Sequence, residues 1–270
     1  MIHLTKCCPP ENGAVYIVPL GDFHIGAAEF TERAQEKLRG YIRWILDRPN
    51  AFTFLMGDIM NCATVLSPGR PVEEVLGSTD QFELAIKLLK PLAEKDRILG
   101  AILGNHEWQL VRTTGSRLNR TRELCAALSI PYCGADAFVT LDVSEDGVRN
   151  HRRLYDFYFV HGYGGGRRRG YKVNNLAELE HNADADVYVC GHVHDVVAFR
   201  KEKVFREKQK LQLRKMLFVT SGSFLETLSP LNEPDEGYAA QKSMEPICIG
   251  APRIRLEASH NRDRDIHVSI

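Results

Sequence analysis

The chain of 270 residues is long enough for one large α/β domain with a real core. Its 44% hydrophobic and 26% charged content is ordinary for a globular protein. The 35 basic side chains balance 35 acidic ones, which excludes steering by summed charge toward nucleic acid or membrane, and no apolar run approaches the roughly 20 residues that span a bilayer.

In chain order, the first ten residues lack the charged head and apolar stretch of a signal peptide, and the adjacent Cys7 and Cys8 read as a loosely held terminal pair. A strand is predicted over Val15–Leu20, bending or ending at Pro19, because proline cannot donate to a central ladder. It leads into Gly21-Asp22-Phe23-His24. A helix over Phe30–Leu46 places Phe30, Ala34, Leu38, Tyr41, Ile42 and Ile45 on one face and stops before Pro49. A second strand, Ala51–Met56, runs into Gly57-Asp58-Ile59-Met60-Asn61. Ser78 and Gln81 have capping-box spacing and open a helix through Phe82, Ala85, Ile86 and Leu89, which Pro91 is expected to kink or end.

Ile98–Leu103 is the third strand, followed by Gly104-Asn105-His106-Glu107. Helices are predicted over Arg117–Leu128 and Asn175–His181, with a strand at Asp156–Val160 feeding His161-Gly162. A fifth strand, Val187–Cys190, ends at Gly191-His192-Val193-His194. This alternation argues for α/β architecture. From about Val196 the pattern changes to strands and turns. Val196–Phe199 and Met216–Thr220 flank a charged ribbon over Arg200–Lys215, read as an exposed hairpin or loop, and Cys248–Leu256 is a late strand. No linker is evident. One domain is expected over residues 1–270, with ligand-bearing strands over 15–195 and a β-rich part over 196–270. The 7 cysteines include no Cys-x-x-Cys pair, so neither a zinc ribbon nor a redox pair is indicated, and a reducing, cytoplasmic compartment is expected.

A histidine beside an apolar run is ordinarily a core or loop residue, and Asp after Gly is ordinarily a turn residue. Five strand ends that deliver Asp22 and His24, Asp58, Asn105 and His106, His161, and His192 and His194 are not explained by turn chemistry. Ligands in open α/β sheets bind at the carboxyl ends of the strands. Imidazole with carboxylate and amide oxygen, without thiolate, suits Mn²⁺, Zn²⁺ or Fe. The set exceeds what one four-coordinate ion takes and suffices for two if a carboxylate bridges, the arrangement used for displacement at phosphorus. His192 and His194 are expected on one side of an extended segment, so that neighbouring ions each take one.

The ordered set Asp22-x-His24, Gly57-Asp58-x-x-Asn61, Gly104-Asn105-His106-Glu107, His161-Gly162 and Gly191-His192-x-His194 resembles the calcineurin-like metallophosphoesterase superfamily. Ser221-Gly222-Ser223 is similar to that family's glycine-serine turn. The resemblance implies two mixed β-sheets packed as a sandwich and flanked by helices, a four-layer αββα fold. It implies two divalent ions, Mn²⁺ first, with Zn²⁺ or Fe as alternatives. Asp22, His24 and His194 would hold one ion, Asn105, His161 and His192 the other, and Asp58 both; a water between the ions would be the nucleophile. His106 would be the general acid or stabilise phosphoryl charge, Glu107 either orients that imidazole or is a surface carboxylate, and Asn61 is structural. The stretch Ile59-Met60-Asn61-Cys62 departs from the Asp-Arg-Gly continuation of the serine/threonine protein phosphatases and argues against protein dephosphorylation.

For substrate, the glycine-rich run His161–Gly170 offers Arg167, Arg168 and Arg169 to phosphate oxygens and Tyr163 or Tyr171 to a base; a solvated loop is the alternative. Arg112, Arg117, Arg120 and Arg122 are either a basic track or a solvated helix face. The expected activity is a phosphodiesterase or nuclease acting on a nucleotide or single-stranded nucleic acid. A small-molecule phosphomonoesterase is the alternative, and a nonenzymatic scaffold of the same fold a further one. No membrane partner is expected, and the sequence leaves the oligomeric state open.

Overall fold

In a computed structural model, residues 1–64, 67, 74–114, 119–144, 152–164, 166, 169–226, 246–259 and 264–270 are described. The apolar runs become strands β2 (Ala14–Leu20), β3 (Ala51–Leu55) and β4 (Ile98–Ala101), which pair in parallel. Late strands β10 (Arg253–Glu257) and β11 (Ile266–Ser269) complete a five-stranded sheet in the order β11-β10-β2-β3-β4. Proline at position 19 does not end its strand. The β10 pairing stops at Ile17, so Pro19 lies where only the β3 side of the ladder continues, and its missing N–H leaves no neighbour unsatisfied.

The second sheet contains β1 (Ile2–Cys7), β5 (Asp136–Asp142), β6 (Leu154–Val160), β7 (Val187–Cys190), β8 (Ala198–Glu207) and β9 (Lys210–Thr220). Its order is β1-β5-β6-β7-β9-β8, with parallel and antiparallel pairs mixed. Val15, Ile17, Phe52 and Phe54 from one sheet meet Val139, Phe157, Phe159, Val189 and Val219 from the other in a fully buried inter-sheet core, and Phe54 stacks on Phe159 with centroids 4.0 Å apart. Cys8 lies in this core, and its N–H donates to the Asp142 carbonyl at 2.9 Å, so the cysteine pair is anchored rather than loose. All 7 cysteines are free.

Helices cover both outer faces. Helix α1 (Glu32–Leu46) buries Ala34, Leu38, Ile42 and Ile45, the predicted stripe, and the Thr31 hydroxyl caps it by accepting the Ala34 N–H at 3.3 Å. Helix α2 (Ser78–Glu94) runs past Pro91, so that residue does not end it. Its expected capping box is absent. Gln81 instead turns inward, accepting the Cys62 N–H at 3.1 Å and donating to the Leu76 carbonyl at 2.9 Å, which ties α2 to the loop after β3. With α4 (Arg120–Leu128) these helices pack on the five-stranded sheet. On the opposite face, Leu176 of α5 (Arg169–Ala177) and Leu179 of a following 3₁₀ turn cover Tyr158, Tyr188 and Phe218. Two mixed sheets between helical layers give the α/β sandwich expected from the resemblance. Among the described residues no helix is long and apolar enough to cross a membrane.

Candidate metal centre

The strands β2, β3, β4, β6 and β7 all end at one rim, and the backbone there is bent. Asp22, His24, Asp58, His192 and His194 adopt φ of 51°, 50°, 48°, 67° and 55°, a left-handed region that costs an L-residue about 1–2 kcal/mol. The bends are held by backbone pairing between the β2 and β3 exits: Asp22 N–H to the Gly57 carbonyl, His24 N–H to the Asp58 carbonyl and Ile25 N–H to the Ile59 carbonyl, each 3.0 Å. His192 and His194 therefore leave a left-handed turn, not the extended segment expected, and the turn aims them at different neighbours. Gly57 and Gly104 touch backbone to backbone, where a side chain at either would overlap the other loop, and this contact brings Asp58 against the start of the next helix.

That helix, α3 (Asn105–Thr114), was not anticipated; it begins directly on the third strand end. Its first turn leaves N–H groups without helical acceptors, and Asp58 Oδ1 accepts the one from His106 at 2.9 Å. The other carboxylate oxygen, Oδ2, is buried without a hydrogen-bond partner, 3.2 Å from His161 Nε2 and 3.7 Å from His24 Nε2. His24 Nε2 and His194 Nε2 face each other at 3.1 Å, and His194 Nε2 lies 3.3 Å from Asp22 Oδ1. On the other side, His161 Nε2 is 2.9 Å from Asn105 Oδ1.

Three groups of side chains have their donor atoms within 4.8 Å of one another: Asp22, His24 and His194; Asp58, His161 and His192; and His24, Asp58 and His106. All seven side chains proposed as ligands thus converge, with Asp58 between two histidine clusters. The donors are imidazole nitrogen and carboxylate or amide oxygen. Buried Asp58 Oδ2 and His192 Nδ1 make no hydrogen bond, and two imidazole nitrogens are opposed, all of which a pair of divalent cations would satisfy. The residues present fit the implied metals. Cys190 is close by, but burial pushes its thiol up to about 12, so it offers no thiolate.

Backbone carbonyls orient the imidazoles. His161 Nδ1–H donates to the Met56 carbonyl at 2.8 Å, which leaves Nε2 facing the cluster. His106 Nδ1–H donates to the Asn61 carbonyl at 2.7 Å, and the ring packs edge-on against His24 with centroids 4.5 Å apart. Asp22 accepts the His192 N–H at 3.1 Å and the Ser221 hydroxyl at 3.3 Å. Burial would raise Asp22 and Asp58, but the surrounding histidines outweigh it and hold both carboxyls below their ordinary range. Burial, with His106 beside it, lowers His24 to about 3, so that ring is a neutral donor.

For His161 burial acts downward, but Asp58 and Asp22 outweigh it and raise the ring from 6.5 to about 10. In metal-free protein this ion pair stabilises the fold fully below about pH 6.5, and the contribution is lost as pH rises through about 10. A metal must displace that proton. Calorimetric titration at neutral pH in two buffers of different ionisation enthalpy is expected to show about one proton released from this ring, and affinity should weaken as pH falls. Proton-neutral binding would contradict the assignment.

Glu107 is fully buried and makes no hydrogen bond to the His106 ring, whose Nδ1 is taken by the Asn61 carbonyl. Its carboxylate accepts the N–H groups of Asp58, Ile59 and Met60 at 3.1, 2.8 and 3.1 Å, holding the loop that presents Asp58. Burial and the Asp58 charge raise it to about 8, against the pull of those donors. Both earlier readings of Glu107, an imidazole partner or a surface group, are replaced by this role. Glu107→Ala should leave three buried donors unpaired, at about 1–3 kcal/mol each, and lower the urea midpoint by several kcal/mol equivalent. An unchanged midpoint would show that the loop does not depend on it.

Other predicted residues are less convergent. Tyr163 is 84% exposed, two residues beyond His161. The backbone of Gly164 and Gly166 lies against the Tyr171 ring, so close that a Cβ at either would overlap it, which removes that face from stacking. Arg167 and Arg168, and Arg117, lie outside the described residues, as does the Arg169 side chain, although position 169 opens α5. Arg120 pairs with Glu123 at 2.8 Å and lies over Phe82, and exposed Arg122 lies over Tyr132, so both are engaged with neighbouring side chains.

No curated protein matches the chain. Among solved structures it is similar to a conserved uncharacterized protein of Streptococcus pneumoniae TIGR4 described as a predicted phosphoesterase, at 12% identity and TM-score 0.35, covering 94% of this chain and 88% of that one. Zinc-complexed Vps29 from Entamoeba histolytica is similar at 13% identity and TM-score 0.38, with 94% and 98% covered. The NAD nucleotidase of Haemophilus influenzae is similar at 10% identity and TM-score 0.35, with 94% of this chain and 49% of that one covered. Likenesses this distant say nothing of substrate. The family model for calcineurin-like phosphoesterases matches residues 16–196, more than half of the chain and all the strand ends described above, and the protein belongs to that family.

Proposed function

We propose that the protein is a dinuclear-metal phosphodiesterase, or nuclease, acting on a nucleotide or single-stranded nucleic acid. The observation that carries this reading is the buried Asp58 Oδ2, which makes no hydrogen bond and lies between two histidine clusters, a position suited to a carboxylate that two cations could share. Asp22, His24 and His194 would hold one ion, and Asn105, His161 and His192 the other. Mn²⁺ fits the mixed nitrogen and oxygen donors. When bound, the ions supply positive charge to phosphoryl oxygens and acidify a water.

The chain's own residues do the rest. The Met56 carbonyl fixes the His161 ring, and Glu107 fixes the Asp58 loop. His106, pinned through Nδ1 by the Asn61 carbonyl, presents Nε2 beside the His24 cluster, where it donates a proton to the leaving oxygen. Exposed Tyr163 beside His161 favours a substrate with a base to stack, and the arginines of 167–169 lie in the same stretch. Seven free cysteines, five of them buried, favour a reducing cytoplasmic setting.

The test is hydrolysis of bis(p-nitrophenyl) phosphate by stripped protein reloaded with Mn²⁺, followed by single-stranded DNA, cyclic nucleotides, dinucleotides and monoesters. Turnover of diesters above monoesters is expected. Preference for monoesters would make it a phosphatase, and inactivity with every divalent ion would make it a nonenzymatic member of its family.

A further inference from the structure

The hairpin of β8 and β9 extends well beyond the sheet. Only Leu217–Thr220 of β9 pair with β7, whereas β8 and β9 pair with each other from Ala198 to Glu207 and Lys210 to Val219. Beyond the Lys203–Arg214 pair every described side chain of the ribbon is exposed, and a two-stranded ribbon alone is marginal in water. One face nevertheless carries Val204, Leu213 and Leu211, which are 60%, 56% and 76% exposed. Val204 lies opposite Leu213, and Arg206 opposite Leu211. β8 is also the last strand of its sheet, so its outer row of N–H and C=O groups has no strand partner among the described residues. A long, exposed, partly apolar edge is a template for another strand.

The sequence of that edge is complementary to itself. If two copies of β8 align antiparallel about a two-fold axis at Val204, Val204 meets its own copy, Glu202 meets Arg206 and Arg206 meets Glu202. Lys203 falls opposite Phe205, which places an ammonium beside a ring. The stripe of Leu213, Val204 and their copies then runs unbroken across the seam, with an opposite-charge pair at each end. Moving the axis to Lys203 instead sets Lys203 against itself and Arg200 against Arg206. We propose that a second copy of this chain pairs with β8 in the Val204 register, joining the two six-stranded sheets into one.

This surface is independent of the metal centre. Val204 is level with Leu213, seven residues before Thr220 at the site rim, or roughly 23 Å along the strand. The experiment is sedimentation equilibrium over a concentration series with full-length protein. The wild type should be a dimer. Glu202→Arg alone and Arg206→Glu alone should each weaken it about tenfold or more, because two symmetry-related pairs become like-charged. The double exchange should restore it. Val204→Cys should give an interchain disulfide under mild oxidation. All these positions are exposed, and folding and diester hydrolysis should be unchanged. A monomer throughout the series, a dimer indifferent to both reversals, or crosslinking by Phe205→Cys in place of Val204→Cys would overturn the proposal. So would a monomer whose ribbon binds anionic vesicles instead.

Discussion

Asp58→Asn is expected to reduce diester hydrolysis to background and to lower metal affinity by more than about 100-fold, the upper end for residues that merely orient a ligand. Asparagine is the informative substitution. Position 58 has φ of 48°, which asparagine tolerates, and its amide oxygen can still accept the His106 N–H, so the loop and the start of α3 survive. What is lost is one negative charge on the oxygen that faces both histidine clusters. Asp58→Ala removes the helix contact as well and should also destabilise the fold. Metal content after dialysis, measured with turnover on the same samples, checks the prediction. An asparagine variant that keeps two ions and full turnover would mean that Asp58 is not shared between cations.

His106→Ala is expected to retain metal and lose about 10²–10⁴ in kcat, the range for a positioned proton donor, with KM nearly constant. The separation from a ligand role follows from geometry. His106 supports Asp58 through its backbone N–H, which the substitution keeps, whereas the ring is held by the Asn61 carbonyl. A substrate whose leaving group needs no proton should restore much of the rate. The ring nevertheless lies within reach of His24 and Asp58. If the variant loses an ion along with activity, His106 coordinates metal and a different group must protonate the leaving oxygen.

Much of the architecture was legible in local patterns. Apolar stretches such as Phe52–Leu55 and Val187–Cys190 are buried on both faces, and short runs of that kind have few alternatives to a central strand. The α1 stripe was legible because its period matches the helix. Other elements were not. β1 buries no residue completely, β5 alternates half-buried and buried ones, and the two pair across more than a hundred residues of chain, so neither short segment announces its partner. Gln81 resembled a cap but is drawn inward by the Cys62 N–H, a tertiary contact that outweighs a local one. The charged ribbon was placed correctly as exposed, but its length as a ten-residue strand pair was hidden by its lysines and glutamates.

By itself the sequence determined which side chains gather at the rim and in what order, because a ligand needs a particular chemical group and strand ends are fixed by where apolar runs stop. Only the tertiary structure decided how those groups are aimed. The left-handed turns at Asp22, His24, Asp58, His192 and His194 are imposed by hydrogen bonds between the exits of different strands. The carbonyls of Met56 and Asn61 that set the imidazole tautomers are backbone atoms that any residue would supply, so no residue type marks them. Glu107 could be seen as a carboxylate, but its three donors come from a loop nearly fifty residues earlier in the chain, and that partnership exists only once β3 and β4 are side by side.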